Sequence, residues 1–190
     1  MTDSVGKYVL QVFTPFNNQL IGRITLYLKS KQQQIFGLVF WLLLCFGISA
    51  IGAMASIQAR SFYVELIQPA WAPPGWLFGP VWTVLYAMMA IAAWLVWRQG
   101  GFKENRVALT LFLLQLFING LWSWLFFAWQ MGAASLFNIV VLWGLIVATL
   151  WTFIRTSHWA AGLLVPYLLW VSFATALNYA MWQLNPQILG

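Results

Sequence analysis

The sequence predicts an all-α membrane protein, a bundle of five transmembrane helices. Composition is the first reason: 63% of the residues are hydrophobic and 6% are charged, where a soluble domain carries about 25% charged residues. Three acidic side chains in 190 residues cannot coat a water-facing surface, so lipid is the solvent that suits the apolar excess. The second reason is a set of uncharged runs, each long enough to cross a bilayer. The third is that the bases stand at the ends of those runs, where topology signals lie. They are too few and scattered to form a phosphate-binding stripe, so the net charge of +6 does not point to nucleic acid.

Residues 1–34 form an arm rather than a span. Val9, Leu10, Val12, Phe13 and Phe16 are apolar, but Pro15, Asn17, Asn18 and Arg23 interrupt them. Asp3 and the lack of a small-residue cleavage site argue against a signal peptide. An interfacial helix or a partly disordered arm is expected there, and the membrane domain is expected over residues 35–186.

Within that domain the first span is expected at 36–57, between Lys31 and Arg60. The connection that follows ends Gln68-Pro69-Ala70-Trp71-Ala72-Pro73-Pro74-Gly75-Trp76. Its prolines remove donors and push the preceding residues out of the α region. Such a segment suits a rigid cap over one end of the bundle, or an ordinary connector. The second span is expected at 76–97, ending at Arg98. Between Arg106 and Arg155 no residue is ionisable, which leaves room for spans at 107–128 and 133–154, divided by Ala128-Trp129-Gln130-Met131-Gly132. The fifth is expected at 159–182.

Loop charges set the orientation. Lys7, Arg23, Lys29, Lys31, Arg98, Lys103, Arg106 and Arg155 fall on one side and Arg60 on the other. The positive-inside rule then puts the N-terminus in the cytoplasm and the C-terminus outside. This favours a multi-pass protein of a bacterial cell membrane, with the mitochondrial outer membrane as the alternative.

The polar residues inside the spans follow helical spacing. Gln115, Asn119 and Ser123 recur every four residues and share a face, with Trp122 and Phe126 beside them. Tyr167, Trp170, Ala174 and Asn178 share a face of the fifth span, and Trp82, Tyr86 and Met89 one of the second; Asn138 is the candidate on the fourth. Amides are costly in hydrocarbon, so these stripes are expected inside the bundle. They serve either as interhelical hydrogen bonds or as polar handles in an apolar pocket. Small residues at Ser49/Ala53 and Gly52/Ser56 offer a seam for close helix approach.

Tryptophan is the most over-represented residue, with 14 copies. An interfacial aromatic belt explains Trp71, Trp76, Trp97, Trp129, Trp159 and Trp182. Trp94, Trp122, Trp143 and Trp170 lie deeper and need a partner for the indole N–H, or a ligand. Trp82 is intermediate.

Several chemistries lack their parts. Cys45 is a lone cysteine in an apolar run, suited to packing, and His158 stands alone in a short connection. No metal set results. No span holds a carboxylate for proton coupling or a lysine for a Schiff base, and there is no Ser-His-Asp set or phosphate-binding glycine loop. A conventional enzyme is not expected. The ligand expected is large, flat and mostly apolar, with no obligatory cofactor.

The run Trp71-Ala72-Pro73-Pro74-Gly75-Trp76 into Phe78-Gly79-Pro80-Val81-Trp82-Thr83-Val84-Leu85-Tyr86 resembles the TspO/MBR family. So do Asn119 with Trp122 and Ser123, Pro166-Tyr167-Leu168-Leu169-Trp170, and Phe173-Ala174-Thr175-Ala176-Leu177-Asn178-Tyr179. This family contains the tryptophan-rich sensory proteins and the mitochondrial translocator or peripheral-type benzodiazepine receptor. The resemblance implies a five-helix bundle, usually a homodimer, with a pocket beneath the loop between the first two helices. Porphyrins, haem, sterols and isoquinoline carboxamides are the ligands it implies. Carried over by motif, Trp82 and Asn119 match ligand-contacting positions, and Trp82 and Trp170 match tryptophans of light-driven porphyrin breakdown. Tyr63, Trp122, Ala174 and Leu177 match further pocket positions; Tyr86, Ser123 and Asn138 join them from the stripes above. The animal sterol motif needs a basic residue after Leu177-Asn178-Tyr179, and Ala180-Met181-Trp182-Gln183 follows instead.

The sequence therefore predicts a membrane tetrapyrrole-binding sensor or regulator with a pocket inside the bundle; if that pocket lies between the second, third and fifth spans, Trp82 and Trp170 flank the ligand and Asn119 supplies a polar contact. A porphyrin or lipid transporter and a light-dependent porphyrin-degrading enzyme are the alternatives. Membrane lipid and a tetrapyrrole are the partners expected.

Overall fold

A computed structural model describes residues 30–57 and 59–190. The described residues hold five helices long and apolar enough to cross a membrane. We label the helices α1 (Lys31–Ala55), α2 (Ala59–Glu65), α3 (Phe78–Trp97), α4 (Gly101–Glu104), α5 (Arg106–Ser123), α6 (Gly132–Thr156), α7 (His158–Leu184) and α8 (Pro186–Leu189). A 3₁₀ turn, Gly75–Leu77, leads into α3, and a π-helical turn, Trp124–Ala128, ends α5. The expectation for residues 1–29 lies outside the described residues. The boundary at residue 34 moves, because α1 starts earlier. Ser30 accepts from the Gln33 N–H while the Gln33 side chain accepts from the Ser30 N–H. This reciprocal cap is written in the sequence as Ser-x-x-Gln.

The five long helices form a closed ring in the order α1, α3, α7, α6, α5, each packed against the next. Short connections make successive spans antiparallel. The Trp94 indole near the end of α3 thus donates to the Gln34 carbonyl at the start of α1, at 2.8 Å. The core within the ring includes Trp41, Cys45, Met89, Val96, Phe112, Phe153, Leu164 and Tyr167, all essentially inaccessible. Gly37 lets α3 approach α1, since the Trp97 ring occupies the space a Cβ would need. Phe36, Leu43, Phe117, Phe137, Trp151 and Leu169 point outward. A ring of apolar side chains around the outside of a bundle is what hydrocarbon solvates and water does not.

The charges sort by end. Lys31 opens α1, Arg98 follows α3, Lys103 lies in α4, Arg106 opens α5 and Arg155 closes α6, so all five lie at one end of the ring. Arg60 lies in α2, at the other end. Arg98 and Arg155 rest over the Trp94 and Trp151 rings at 4.9 and 5.4 Å, cation–π contacts that keep the cations at the interface. The end bearing the charges is tied by Asn105. Its amide donates to the Val96 and Gln99 carbonyls and accepts from Thr156, joining the ends of α3 and α6.

Candidate functional site

The polar stripes do point inward, and they meet. Tyr86 Oη on α3 donates to Asn119 Oδ1 on α5 at 2.5 Å. Asn119 Nδ2 donates to Tyr167 Oη on α7 at 2.9 Å, and Tyr167 Oη donates to Gln115 Oε1 at 2.9 Å. Farther along α5, Trp122 Nε1 donates to Asn178 Oδ1 on α7 at 2.9 Å. Each of these side chains except Trp122 is buried. The stripes thus hold α3, α5 and α7 together, the interhelical role. An asparagine amide has two donors and two acceptor lone pairs, so Asn119 retains one N–H and one lone pair.

Two spaces adjoin this network. The larger has a volume of about 450 Å³ and lies between α1, α3 and α5, within the range typical of ligand pockets. Ser49, Gly52, Ala53 and Ser56 give it a small-residue floor on α1. Phe78, Trp82 and Tyr86 line it from α3, Trp122, Ser123 and Phe127 from α5 and the turn that ends it, and Tyr63, Gly75 and Trp76 from the loop. Ala53, Gly79 and Thr83 line it and are exposed, so it opens sideways between α1 and α3. The smaller space, of about 20 Å³, lies between α3, α5, α6 and α7. It has room for about one water. Phe78, Trp82, Asn119 and Trp122 belong to both linings and form the wall between the spaces.

The larger space lies on the α1 side of that wall, under the loop residues Tyr63, Gly75 and Trp76. On the other side, where the second, third and fifth spans meet, the Tyr86–Asn119–Tyr167 network joins the helices and the small cleft remains. The small residues of the first span, Ser49, Gly52, Ala53 and Ser56, line the cavity. Gly52 lets α5 come close, since a Cβ there would lie 3.2 Å from Ser123 Oγ.

The candidate residues divide accordingly. Tyr63, Trp82, Tyr86, Asn119, Trp122 and Ser123 line the large cavity, whereas Trp170 and Ala174 line the cleft. Leu177 packs beneath the loop with Phe62, Tyr63 and Leu66. Asn138 is buried on α6, its Oδ1 without a partner among the described residues. Of the deeper indoles, Trp94 and Trp122 have acceptors; Trp143 donates to Ser172 on the outer surface and is half-exposed. Trp170 Nε1 is buried and has no partner among the described residues.

The π-helical turn Trp124–Ala128 re-aims the end of α5. Trp129 N–H reaches the Trp124 carbonyl at 2.8 Å, a wider turn than the α-helical one. Trp122 and Phe126 stack at 5.2 Å, Phe127 enters the cavity wall, and Phe126 meets Phe62 under the loop at 6.3 Å.

The loop closes one end. Tyr63 Oη donates to the Pro73 carbonyl at 2.9 Å, and the Gln68 amide donates to the Tyr63 carbonyl at 2.6 Å. Burial raises the Tyr63 phenol above its usual range, so it stays protonated as a donor. The Tyr63 ring meets Phe78 edge-on at 5.5 Å. The connection covers this end of the bundle, with Phe62, Tyr63 and Leu66 packed on Phe126, Leu177 and Met181.

A model of the TspO/MBR family matches residues 40–183. The chain belongs to the TspO/MBR family. It is 44% identical over 156 residues to the tryptophan-rich protein TspO of Chlorobaculum tepidum, across 81% of this chain and 99% of that one. It is 36% identical over 149 residues to the tryptophan-rich sensory protein of Cereibacter sphaeroides, across 76% and 92%. The human translocator protein is 43% identical over 131 residues, across 67% of this chain and 77% of its own. The matched region begins in α1 and ends in α7, so it contains both spaces and the wall between them in this TspO/MBR bundle.

Proposed function

We propose that this TspO/MBR protein is a tetrapyrrole-binding sensor or regulator of the bacterial cell membrane. The flat ring sits in the cavity between α1, α3 and α5. The cavity itself is the observation that supports this. Trp76, Phe78, Trp82, Trp122 and Phe127 supply aromatic surface, and Asn119, Thr83 and Ser123 supply a few polar groups. Stacking faces with sparse hydrogen-bonding groups suit a large planar aromatic ligand. Among the described residues, no lining side chain is charged, and none is a histidine, cysteine or methionine. The sideways opening between α1 and α3 gives an apolar ligand a route from the bilayer.

Names of relatives support a membrane sensory or translocating role. Sensing is favoured over porphyrin or lipid transport by the packing on the charged side of the cavity, where Met89, Val96, Phe112 and Phe153 fill the ring. Light-driven porphyrin breakdown is a second reading, favoured by Trp82 on the shared wall and by the Trp170 indole behind it, whose N–H has no partner among the described residues.

Titration of the purified protein with protoporphyrin IX, read by tryptophan fluorescence, tests the proposal. Saturation at about one porphyrin per chain is expected. Quenching that rises linearly without saturation would show only partitioning into greasy surface and would remove the reading.

A further inference from the structure

The loop over the cavity is held down from the far end of the chain. Asn185, the residue after α7, is buried at 5% exposure. Its Oδ1 accepts from the Ile67 N–H at 2.8 Å, and its Nδ2 donates to the Ile67 carbonyl at 3.0 Å. One side chain thus satisfies both backbone groups of a residue 118 positions away, as a neighbouring strand would. The same Nδ2 also donates to the Met181 carbonyl at 2.8 Å, an ordinary helix-end contact. A residue that merely capped α7 would make the last bond and not the first two. Apolar packing runs alongside: Phe62 and Leu66 from the loop bury against Met181 and the fully buried Leu189 of α8. Gly132 makes room for this end, since a Cβ there would run into the Trp182 ring and the Leu189 carbonyl.

Tyr63, Gly75 and Trp76 belong to the cavity lining, and Ile67 lies between them in the chain. Holding Ile67 holds the segment that shapes the water-facing end of the cavity. We propose that Asn185 is a positioning residue, the latch by which the C-terminal turn keeps the loop closed over the cavity. This rests on the cavity being the binding site; the closure itself needs no ligand, and the test separates the two. With the latch made, an occupant is shielded from water on the loop side. With it broken, the loop remains attached at both ends but moves off the cavity.

The test uses a Ser49→Cys probe, facing the cavity, in a Cys45→Ala background in lipid nanodiscs. A membrane-impermeant maleimide reports access from water. Asn185→Ala is expected to raise the labelling rate about tenfold, the effect of losing two hydrogen bonds in the closed state. Asn185→Asp keeps the acceptor for Ile67 N–H but sets an oxygen against the Ile67 and Met181 carbonyls in place of both donors, so its rate should also rise above the parent. Asn105→Ala removes a comparable clamp at the opposite end and should leave labelling unchanged, which distinguishes latch loss from general loosening. If Asn185→Ala does not assemble, Ile67→Pro removes the same N–H from the loop side, where the Ile67 side chain is exposed, and should reproduce the increase. Labelling in the assembled latch variants equal to the parent, or an equal rise in Asn105→Ala, overturns the latch. Protoporphyrin IX dissociation is then followed in the same variants. Faster release with faster labelling supports both readings. Faster labelling with no saturable porphyrin binding in the parent keeps the latch and removes the ligand assignment.

Discussion

Tyr86 and Asn119, 33 residues apart, share a buried 2.5 Å hydrogen bond that joins α3 to α5 at the wall of the cavity. Asn119 continues to Tyr167, so one amide both fixes three helices and faces the proposed ligand. Substituting it should affect two quantities that are separable. Asn119→Ala leaves two buried phenols without that partner and should cost about 1–3 kcal/mol of stability, seen as a lower melting temperature. Porphyrin affinity should fall as well, by about 0.5–1.5 kcal/mol for one lost hydrogen bond. Gln115→Leu breaks the same network where it does not line the cavity; it should lower the melting temperature and leave affinity unchanged.

Cavity occupancy can be tested by filling it. Ala53 lines the floor and is exposed at the side opening, so Ala53→Trp has room to enter without displacing the core. Porphyrin affinity should fall at least about tenfold, equivalent to 1.4 kcal/mol, while the melting temperature stays within a few degrees. Because Ala53 faces the cavity, the expected homodimer should persist, measured as mass in nanodiscs. Undiminished saturable binding would place the ligand elsewhere.

Photochemistry should discriminate the two tryptophans. Trp82 touches both spaces, whereas Trp170 borders only the cleft of about 20 Å³. If light-driven breakdown occurs, Trp82→Phe should slow it more than Trp170→Phe, and the double variant should abolish it at matched occupancy. Both variants keep an aromatic face, so binding should survive. Porphyrin loss under illumination at the parent rate in the double variant would rule out this assignment.

Topology follows from charge. The ring has Lys31, Arg98, Lys103, Arg106 and Arg155 at one end, and the C-terminus emerges at the other. Single cysteines at positions 103 and 188, in the Cys45→Ala background, should label from opposite sides, with 103 cytoplasmic. Labelling of both from one side would contradict the five-span arrangement.

The sequence alone determined the solvent and the number of crossings. Those depend on composition and on where charges interrupt apolar runs, and both can be read residue by residue. Helical spacing likewise placed Gln115, Asn119, Tyr86, Tyr167 and Asn178 inside, because an uncompensated amide or phenol is costly in lipid wherever its partner is. Which partner each side chain takes depends on how the helices are ordered around the ring, and spacing within one helix carries no information about that. Hence spacing did not show that the larger cavity lies on the α1 side of Trp82 and Asn119, with the α1 small residues as its floor. Asn185 shows the limit most directly. In the sequence it lies beyond the fifth span expected at 159–182, and only the folded chain brings the Ile67 N–H within 2.8 Å of its side chain.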